Sequence, residues 1–202
     1  MDIHQTMWSK IRISEIRNDA FESLKYKDDN AREKSKTYVL YMYVLPLLVS
    51  VLLLVAGIFI TNDIATYLIT SISIFAGLFF GLLFIVTERY NAKQEQLKKN
   101  ENEEVKNYLI RYKNFSKFLI RQISYTIVLA LLLIFLMAVI YFSPQVPRLN
   151  LCGYGDIIRT ICKYAINGVI YYWSFQFIIF ILVILGNTYV MLSDDINNNT
   201  SK

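Results

Sequence analysis

The residues with the clearest binding chemistry lie between residues 98 and 119, and over 108–119 aromatic side chains alternate with basic ones. Aromatic rings stack on bases and basic groups neutralise phosphates, so this pattern fits a nucleotide or an oligonucleotide. The same residue types also anchor a helix at the membrane interface, and this use is favoured because the cluster runs directly into the third apolar run, with ligand binding as the alternative. The basic candidates for an anionic ligand are Lys98, Lys99, Arg111, Lys113 and Lys117.

Small and neutral polar residues form a second set, placed inside long apolar runs. Ser73, Gly77 and Gly81 recur every four residues. A GxxxG pair allows two helices to approach closely, either within one chain or between copies. Neutral amides and hydroxyls later in the chain either join helices or line a water-filled path, and both interpretations stay open. These later residues are Gln176, Asn187 and Thr188.

The sequence lacks recognisable catalytic and cofactor motifs. It has no nucleophile elbow, P-loop, dinucleotide fingerprint or paired Cys and His spacing, and His4 is its only histidine. The apolar runs also lack the ionisable residues that proton-coupled transporters and voltage sensors carry. We therefore predict neither an enzyme nor a cofactor, and an active transporter is disfavoured.

Four apolar runs supply the elements that must position these residues. The chain has 202 residues, of which 55% are apolar and 18% charged, so it is more apolar than a typical soluble domain. Each run is long enough to cross the hydrocarbon core as a helix, and Pro46 predicts a kink or an open hydrogen bond in the first. We predict an all-α polytopic membrane protein with four transmembrane helices, over 37–60, 64–87, 120–142 and 169–192.

The remaining segments are predicted to be helical extensions, one connection and a tail. Residues 1–36 carry the narrow apolar stripe of an amphipathic helix, which packs on its own chain, lies at the headgroups or assembles with copies. Residues 88–119 predict a cytoplasmic helical segment with a bend at 100–104. Residues 143–168 predict a turn followed by a short apolar helix, and 193–202 form the tail.

The distribution of Lys and Arg predicts the orientation. Seventeen of the 21 basic residues lie in 1–36 and 88–121. Because basic segments stay on the cytoplasmic side, we expect both termini and the central segment in the cytoplasm. Residues 143–168 then face the periplasm, where Cys152 and Cys162 are expected to form a disulfide, with two buried thiols as the alternative.

The N-terminal half resembles a class of bacterial membrane effectors. A charged helix with spaced Arg and Ala precedes two closely linked spans and a long helix, over about residues 7–118. This pattern is similar to the SLATT effector domain of bacterial conflict systems. The residues that carry the resemblance are Met7, Trp8, Lys10, Ile11, Arg17, Ala20, Leu24, Lys25 and Lys27, then Glu88, Arg89, Tyr90, Gln96, Leu97 and Lys98.

The resemblance implies a membrane effector of antiphage defence, encoded beside a nucleotidyltransferase. Such an effector oligomerises and opens a pore in response to a nucleotide or oligonucleotide signal, as in Hailong-type membrane subunits. Spans three and four depart from the two-span pattern. They bring the chain near the four-span membrane subunit of Kiwa-type systems, in which a cytoplasmic partner carries the nucleic-acid activity.

Two functions are therefore expected. The first is a homo-oligomeric pore of the bacterial inner membrane, with a tetramer as the first expectation, that depolarises infected cells. Its expected partners are the lipid bilayer and a nucleotidyltransferase or the nucleotide product of that enzyme. The second is a non-conducting membrane sensor or scaffold that docks a cytoplasmic nucleic-acid-binding partner.

Overall fold

A computed structural model of the chain describes residues 13–24, 40–99, 103–142 and 155–200, and all of the regular structure in these ranges is helical. A π-helical turn over Leu40–Val44 leads directly into the second α-helix. The α-helices are α1 (Ile13–Ser23), α2 (Leu45–Val55), α3 (Asn62–Lys99), α4 (Glu103–Phe142) and α5 (Gly155–Thr200).

Helices α3, α4 and α5 are long and apolar enough to cross a membrane. Their surfaces carry large apolar side chains that the chain itself does not cover, and Leu78, Leu131 and Leu182 are each more than half exposed. Exposed apolar surface on this scale is unfavourable in water and matches the hydrocarbon of a bilayer. The described residues confirm the predicted all-α class, and three of the four predicted spans correspond to helices of spanning length.

The first apolar helix is shorter than the span predicted over 37–60. The π-helical turn and α2 together cover Leu40–Val55, which is about 24 Å at the α-helical rise. Gly57 ends the helix with a φ of 70°. The N–H of Gly57 donates to the Leu54 carbonyl and the N–H of Ile58 to the Leu53 carbonyl, both at 3.1 Å. This pair of bonds is a Schellman motif, which explains why the helix ends at Val55 rather than at residue 60.

The irregularity predicted at Pro46 takes the form of the π-helical turn. The turn covers the five residues Leu40–Val44, and Pro46 follows within the first turn of α2. Proline has no N–H, so it fits the first turn of a helix and leaves a carbonyl of the preceding turn without its usual donor.

The long helices join segments that the sequence analysis separates. Helix α3 continues without a break from the second predicted span into the segment predicted over 88–119. Residues 100–102, the centre of the predicted bend, lie outside the described residues. Helix α5 starts at Gly155, so the short apolar helix predicted within 143–168 is instead continuous with the fourth span. Residues 155–192 contain no proline, and nothing interrupts the hydrogen-bond ladder there.

The chain divides into two compact units, and the three long helices each contribute to both. The first unit contains α1 with α3 from Gly81 onward, α4 up to Val128 and α5 from Ile184 onward. In it, the buried Phe21 of α1 packs edge-on against Tyr125 of α4 with ring centroids 5.4 Å apart. The predicted amphipathic helix therefore packs on its own chain over the part that is described.

The second unit contains the π-helical turn, α2, and the parts of α3, α4 and α5 outside the first unit. Its buried side chains include Met42 and Pro46 from the first apolar helix, Phe79 from α3, Leu133 from α4 and Phe180 from α5. The described interior of this unit is apolar apart from a few Ser, Asn and Gln side chains. These polar side chains bond to backbone groups of the same unit.

Candidate functional site

A buried amide in the first unit, that of Gln122 on α4, is bonded to two other helices. Its Nε2 donates to Oγ of Ser23 on α1 at 3.1 Å. Its Oε1 accepts from Nδ2 of Asn187 on α5 at 2.9 Å. Ser23 Oγ in turn donates to the Ala20 carbonyl at 2.6 Å. Asn187, predicted either to join helices or to line a path, here joins helices.

Sequence reasoning does not identify Gln122 and Ser23 as site residues. The signal for Gln122 is a neutral amide at the start of an apolar run, where a buried polar group needs a partner. Its two partners lie 99 and 65 residues away in the chain, so the pattern of one helix does not reveal them. An exposed ion pair between Arg121 and Asp19, with N and O atoms 3.2 Å apart, also links α1 to α4.

The five basic candidates for a ligand site also lie in the first unit. Lys98 and Lys99 are exposed at the end of α3. On α4, Arg111 and Lys117 are exposed and Lys113 is half-buried. Four of the five side chains are therefore accessible to an anionic ligand.

The tyrosines interleaved with these basic residues are engaged within the chain. The Lys93 ammonium group of α3 lies 5.5 Å from the ring centroid of Tyr108 and 5.2 Å from that of Tyr112, both on α4. Cation–π contacts of this kind attract the two helices to each other. Tyr112 is buried, so in this arrangement its ring face serves helix packing rather than base stacking.

In the second unit, α5 holds the turn that follows α2. The buried Asn167 accepts through Oδ1 from the N–H of Ile60 at 3.0 Å, and its Nδ2 donates to the Lys163 carbonyl at 2.9 Å. Tyr171 donates through its hydroxyl to the Ile58 carbonyl at 3.0 Å. Backbone groups that have no helical partner after the end of α2 thus bond to side chains of α5. Such partners are needed because the interior of a membrane has no water to bond these groups.

The ring of Phe59, at the centre of the same turn, also contacts α5. Its centroid lies 4.9 Å from that of Tyr164 in an edge-on arrangement, and the Lys163 ammonium lies 4.1 Å from the Phe59 centroid. The three consecutive residues 58–60 therefore each contact α5. This turn is fixed by specific polar and aromatic contacts.

Gln176 serves a backbone group near Pro46. In an α-helical ladder the Met42 carbonyl accepts from the N–H of residue 46, but proline has none. The buried Gln176 donates through Nε2 to this carbonyl at 3.2 Å and to the Tyr172 hydroxyl at 3.0 Å. The sequence predicts that Gln176 either joins helices or lines a path, and its bond to Met42 joins α5 to the π-helical turn.

Close packing brings α2 and α5 together at Gly168. The buried Ser50 donates through Oγ to the Gly168 carbonyl at 2.8 Å. A Cβ atom at Gly168 would lie 3.1 Å from Cδ1 of Leu54, tighter than most real contacts. The absence of a side chain at Gly168 is therefore part of this helix contact.

The predicted small-residue face of α3 is exposed. Thr66, Thr70, Ser73, Gly77 and Gly81 follow one another every three or four residues and all are exposed. The three hydroxyls donate to carbonyls of their own helix at 2.7–2.9 Å. A Cβ atom at Gly77 or Gly81 would meet no atom within 4 Å. The described residues of this chain therefore do not pack against either glycine.

Two further predicted residues are placed on α5. Thr188 donates through Oγ1 to the Ile184 carbonyl of its own helix at 2.7 Å. Cys162 is exposed and forms no disulfide among the described residues, and Cys152 lies outside them. The disulfide between them stays a prediction.

Comparison of the chain with protein-family models, curated proteins and solved structures finds no match.

Proposed function

We propose that the chain crosses the bacterial inner membrane four times and assembles with copies of itself into an ion-conducting pore. The path of this pore is lined by α3. One observation carries the assignment of the lining: α3 presents an exposed face of hydroxyl and glycine residues along a helix of spanning length.

This face fits a neighbouring helix or water better than lipid. Glycine leaves the backbone open to close approach by another helix, and hydroxyls next to a pore offer oxygen atoms to passing ions or water. Gln176 and Asn187 already bond to other helices within the chain. We therefore assign the lining to α3 rather than to the amides of α5.

The fourth span in this proposal is the helix over Leu40–Val55. Leu47, Leu48 and Leu52 of α2 are exposed and apolar, as expected for a helix that faces lipid. The described part of this helix is about 24 Å long, and a bilayer accommodates a short span by thinning or through the residues that flank it. Four spans place both termini on the same side, in agreement with the basic residues of 1–36 and 88–121.

The resemblance to SLATT domains supports a role in antiphage defence. In this proposal the pore depolarises infected cells when a nucleotidyltransferase partner, or its nucleotide or oligonucleotide product, changes the state of the assembly. The exposed basic residues on α3 and α4 are the proposed contact for that anionic signal.

The decisive experiment measures ion flux from purified protein in liposomes, with oligomer size determined on the same sample. We expect flux from a defined oligomer. Gly77→Leu should reduce both the ion flux and the fraction of protein in that oligomer, because the new side chain occupies the space that a neighbouring copy needs. Gly186→Leu on α5 is the matched control, since a Cβ atom there also meets nothing within 4 Å.

Loss of flux in both variants would contradict the assignment of α3. Absence of flux under three conditions, from the unmodified chain alone, with added nucleotides and with a co-purified nucleotidyltransferase, would contradict the pore. If the unmodified chain then co-purifies with a cytoplasmic nucleic-acid-binding protein in fixed stoichiometry, the scaffold function takes its place.

The proposed signal site has its own test. Replacing Lys98, Lys99, Arg111, Lys113 and Lys117 together with Gln should weaken oligonucleotide binding. The slope of log K against log salt should fall by about 0.7 for each phosphate that the variant no longer neutralises. Arg17→Gln, an exposed basic residue of α1, is the control, and unchanged binding by the fivefold variant would remove these residues from the site.

A further inference from the structure

We infer that Gln122 couples the docking of α1 to the position of α5. The stability of α1 on α4 then depends on whether Asn187 of α5 is bonded to Gln122. A single chain of hydrogen bonds runs from Asn187 through Gln122 and Ser23 to the Ala20 carbonyl. All four residues belong to the first unit. The coupling holds whether or not the protein conducts ions.

The amide of Gln122 fixes which group donates and which accepts in this series of hydrogen bonds. The carbonyl end can only accept and the NH₂ end can only donate, and here they serve Asn187 and Ser23 respectively. Because the amide is planar, a rotation that breaks one bond misplaces the other group as well. Gln122 is 2% exposed, so bulk water does not replace a missing partner.

Helix α1 is the part that responds. Its described part covers Ile13–Ser23, and a helical segment of a few turns gains most of its stability from tertiary packing. Its ion pair from Asp19 to Arg121 is nearly half exposed on both sides and contributes little. Docking of α1 therefore depends on its buried contacts, of which the Ser23 bond to Gln122 and the Phe21 ring contact are two.

Gln122 is thus a positioning residue between two helices. When Asn187 withdraws, the Gln122 carbonyl loses its partner in a buried place, and the amide gains by turning away from Ser23 to find another. The coupling is reciprocal, so undocking of α1 must equally weaken the contact of α4 with Asn187. A partner or ligand that displaces α1 would thereby act on α5.

The test is amide hydrogen exchange of the full chain in lipid nanodiscs, read over residues 13–23. We expect Asn187→Leu to speed exchange there by about five- to thirty-fold, the range for losing one buried hydrogen-bond partner. Thr188→Val is the matched control, because the Thr188 hydroxyl bonds only within its own helix in the described contacts. It should leave α1 unchanged.

A second background separates coupling from general destabilisation. In Gln122→Leu, exchange of α1 should already be fast, and adding Asn187→Leu should increase it no further. Amides of α3 between residues 65 and 79, in the second unit, should exchange as in the unmodified chain. If Asn187→Leu does not fold, Asn187→Ala carries the same expectation with a smaller change.

Three results would overturn the coupling. The first is equal exchange of α1 in Asn187→Leu and Thr188→Val. The second is a uniform increase across residues 13–23 and 65–79. The third is a further increase of α1 exchange when Asn187→Leu is added to Gln122→Leu, which would show that the effect travels without Gln122.

Discussion

Three buried polar side chains each bond to a backbone group of another segment. Asn167 binds the N–H of Ile60, Gln176 the Met42 carbonyl and Ser50 the Gly168 carbonyl. Each partner is a backbone group of a different segment, so each bond selects one register between two segments. Within a bilayer, no water competes for these groups.

The bond from Gln176 should depend on Pro46. We expect Gln176→Leu to lower the free energy of unfolding in detergent by ~1 kcal/mol, because the Met42 carbonyl loses its side-chain donor. In a Pro46→Ala background the new N–H at residue 46 serves that carbonyl. The same change should then cost clearly less, and a double-mutant cycle measures the difference.

The control for this cycle is Thr188→Val, whose hydroxyl bonds within α5, combined with Pro46→Ala. These two changes should add without coupling. An equal cost of Gln176→Leu in both backgrounds would show that Pro46 is not the reason for the Gln176 bond.

Two buried serines should respond to replacement with opposite signs. Ser116 on α4 is fully buried and its hydroxyl has no partner among the described residues. Ser116→Ala should therefore increase the free energy of unfolding by ~1 kcal/mol, because it removes an unpaired buried polar group, and should raise the unfolding midpoint accordingly. Ser50→Ala should lower it, because the Gly168 carbonyl then loses its donor. A loss of stability in Ser116→Ala, measured by thermal unfolding in detergent, would contradict this interpretation of Ser116.

At the scale of helices, the contact of α2 with α5 depends on space at Gly168. Gly168→Leu should destabilise the protein by about 1–3 kcal/mol, since its side chain collides with Leu54. Gly168→Ala should cost less, because the tip of Leu54 needs to move only a few tenths of an ångström. The comparison is made by thermal unfolding in detergent.

Gly186→Leu is the matched control for this contact, on the same helix and with open space around it. It should leave the unfolding midpoint close to that of the unmodified chain. A similar loss in both Leu variants would assign the effect to the helix α5 itself rather than to its contact with α2.

Apolar runs predict the helices well and their ends less well. A run without charges favours a helix over its whole length, so the sequence predicts a first span to residue 60. The left-handed backbone conformation of Gly57 ends the helix earlier, at Val55. A single glycine in an apolar run is not enough to predict that conformation. In the same way, the apolar residues before Val169 continue α5 rather than forming a separate helix.

The polar residues are identifiable in the sequence, but their partners are not. Gln176 and Asn187 stand out in an apolar run. Whether such an amide faces water or another helix depends on what packs against it, here on segments 134 and 65 residues away. The spacing of Ser73, Gly77 and Gly81 predicts a shared face of α3 for helix packing; that face is exposed, and the described residues of the chain do not pack against its glycines.

For the whole molecule, the predicted orientation places Cys162 on the periplasmic side of the inner membrane. Cys162 is an exposed thiol. In a Cys152→Ser chain we expect a membrane-impermeant maleimide to label it in intact spheroplasts. In the unmodified chain, labelling only after reduction would support the bond from Cys152 to Cys162, and labelling without reductant would exclude it.

The control for orientation places a thiol on the opposite side. Lys99→Cys in a chain with both native cysteines changed to Ser should be labelled only after lysis, because Lys99 is exposed at the end of α3 and lies in the basic segment. Labelling of Lys99→Cys in intact spheroplasts, together with no labelling of Cys162 in the Cys152→Ser chain, would reverse the predicted topology.

The bond from Gln176 to Met42 also sets an order in time. The ribosome makes Gln176 134 residues after Met42. At a synthesis rate of roughly 5–20 residues per second, that stretch takes about 7–27 s to make. During this interval the Met42 carbonyl has neither the Gln176 donor nor the α-helical donor that residue 46 would supply if it were not proline. A nascent chain arrested before residue 176 should therefore hold the first apolar helix less firmly than one arrested after α5 has emerged.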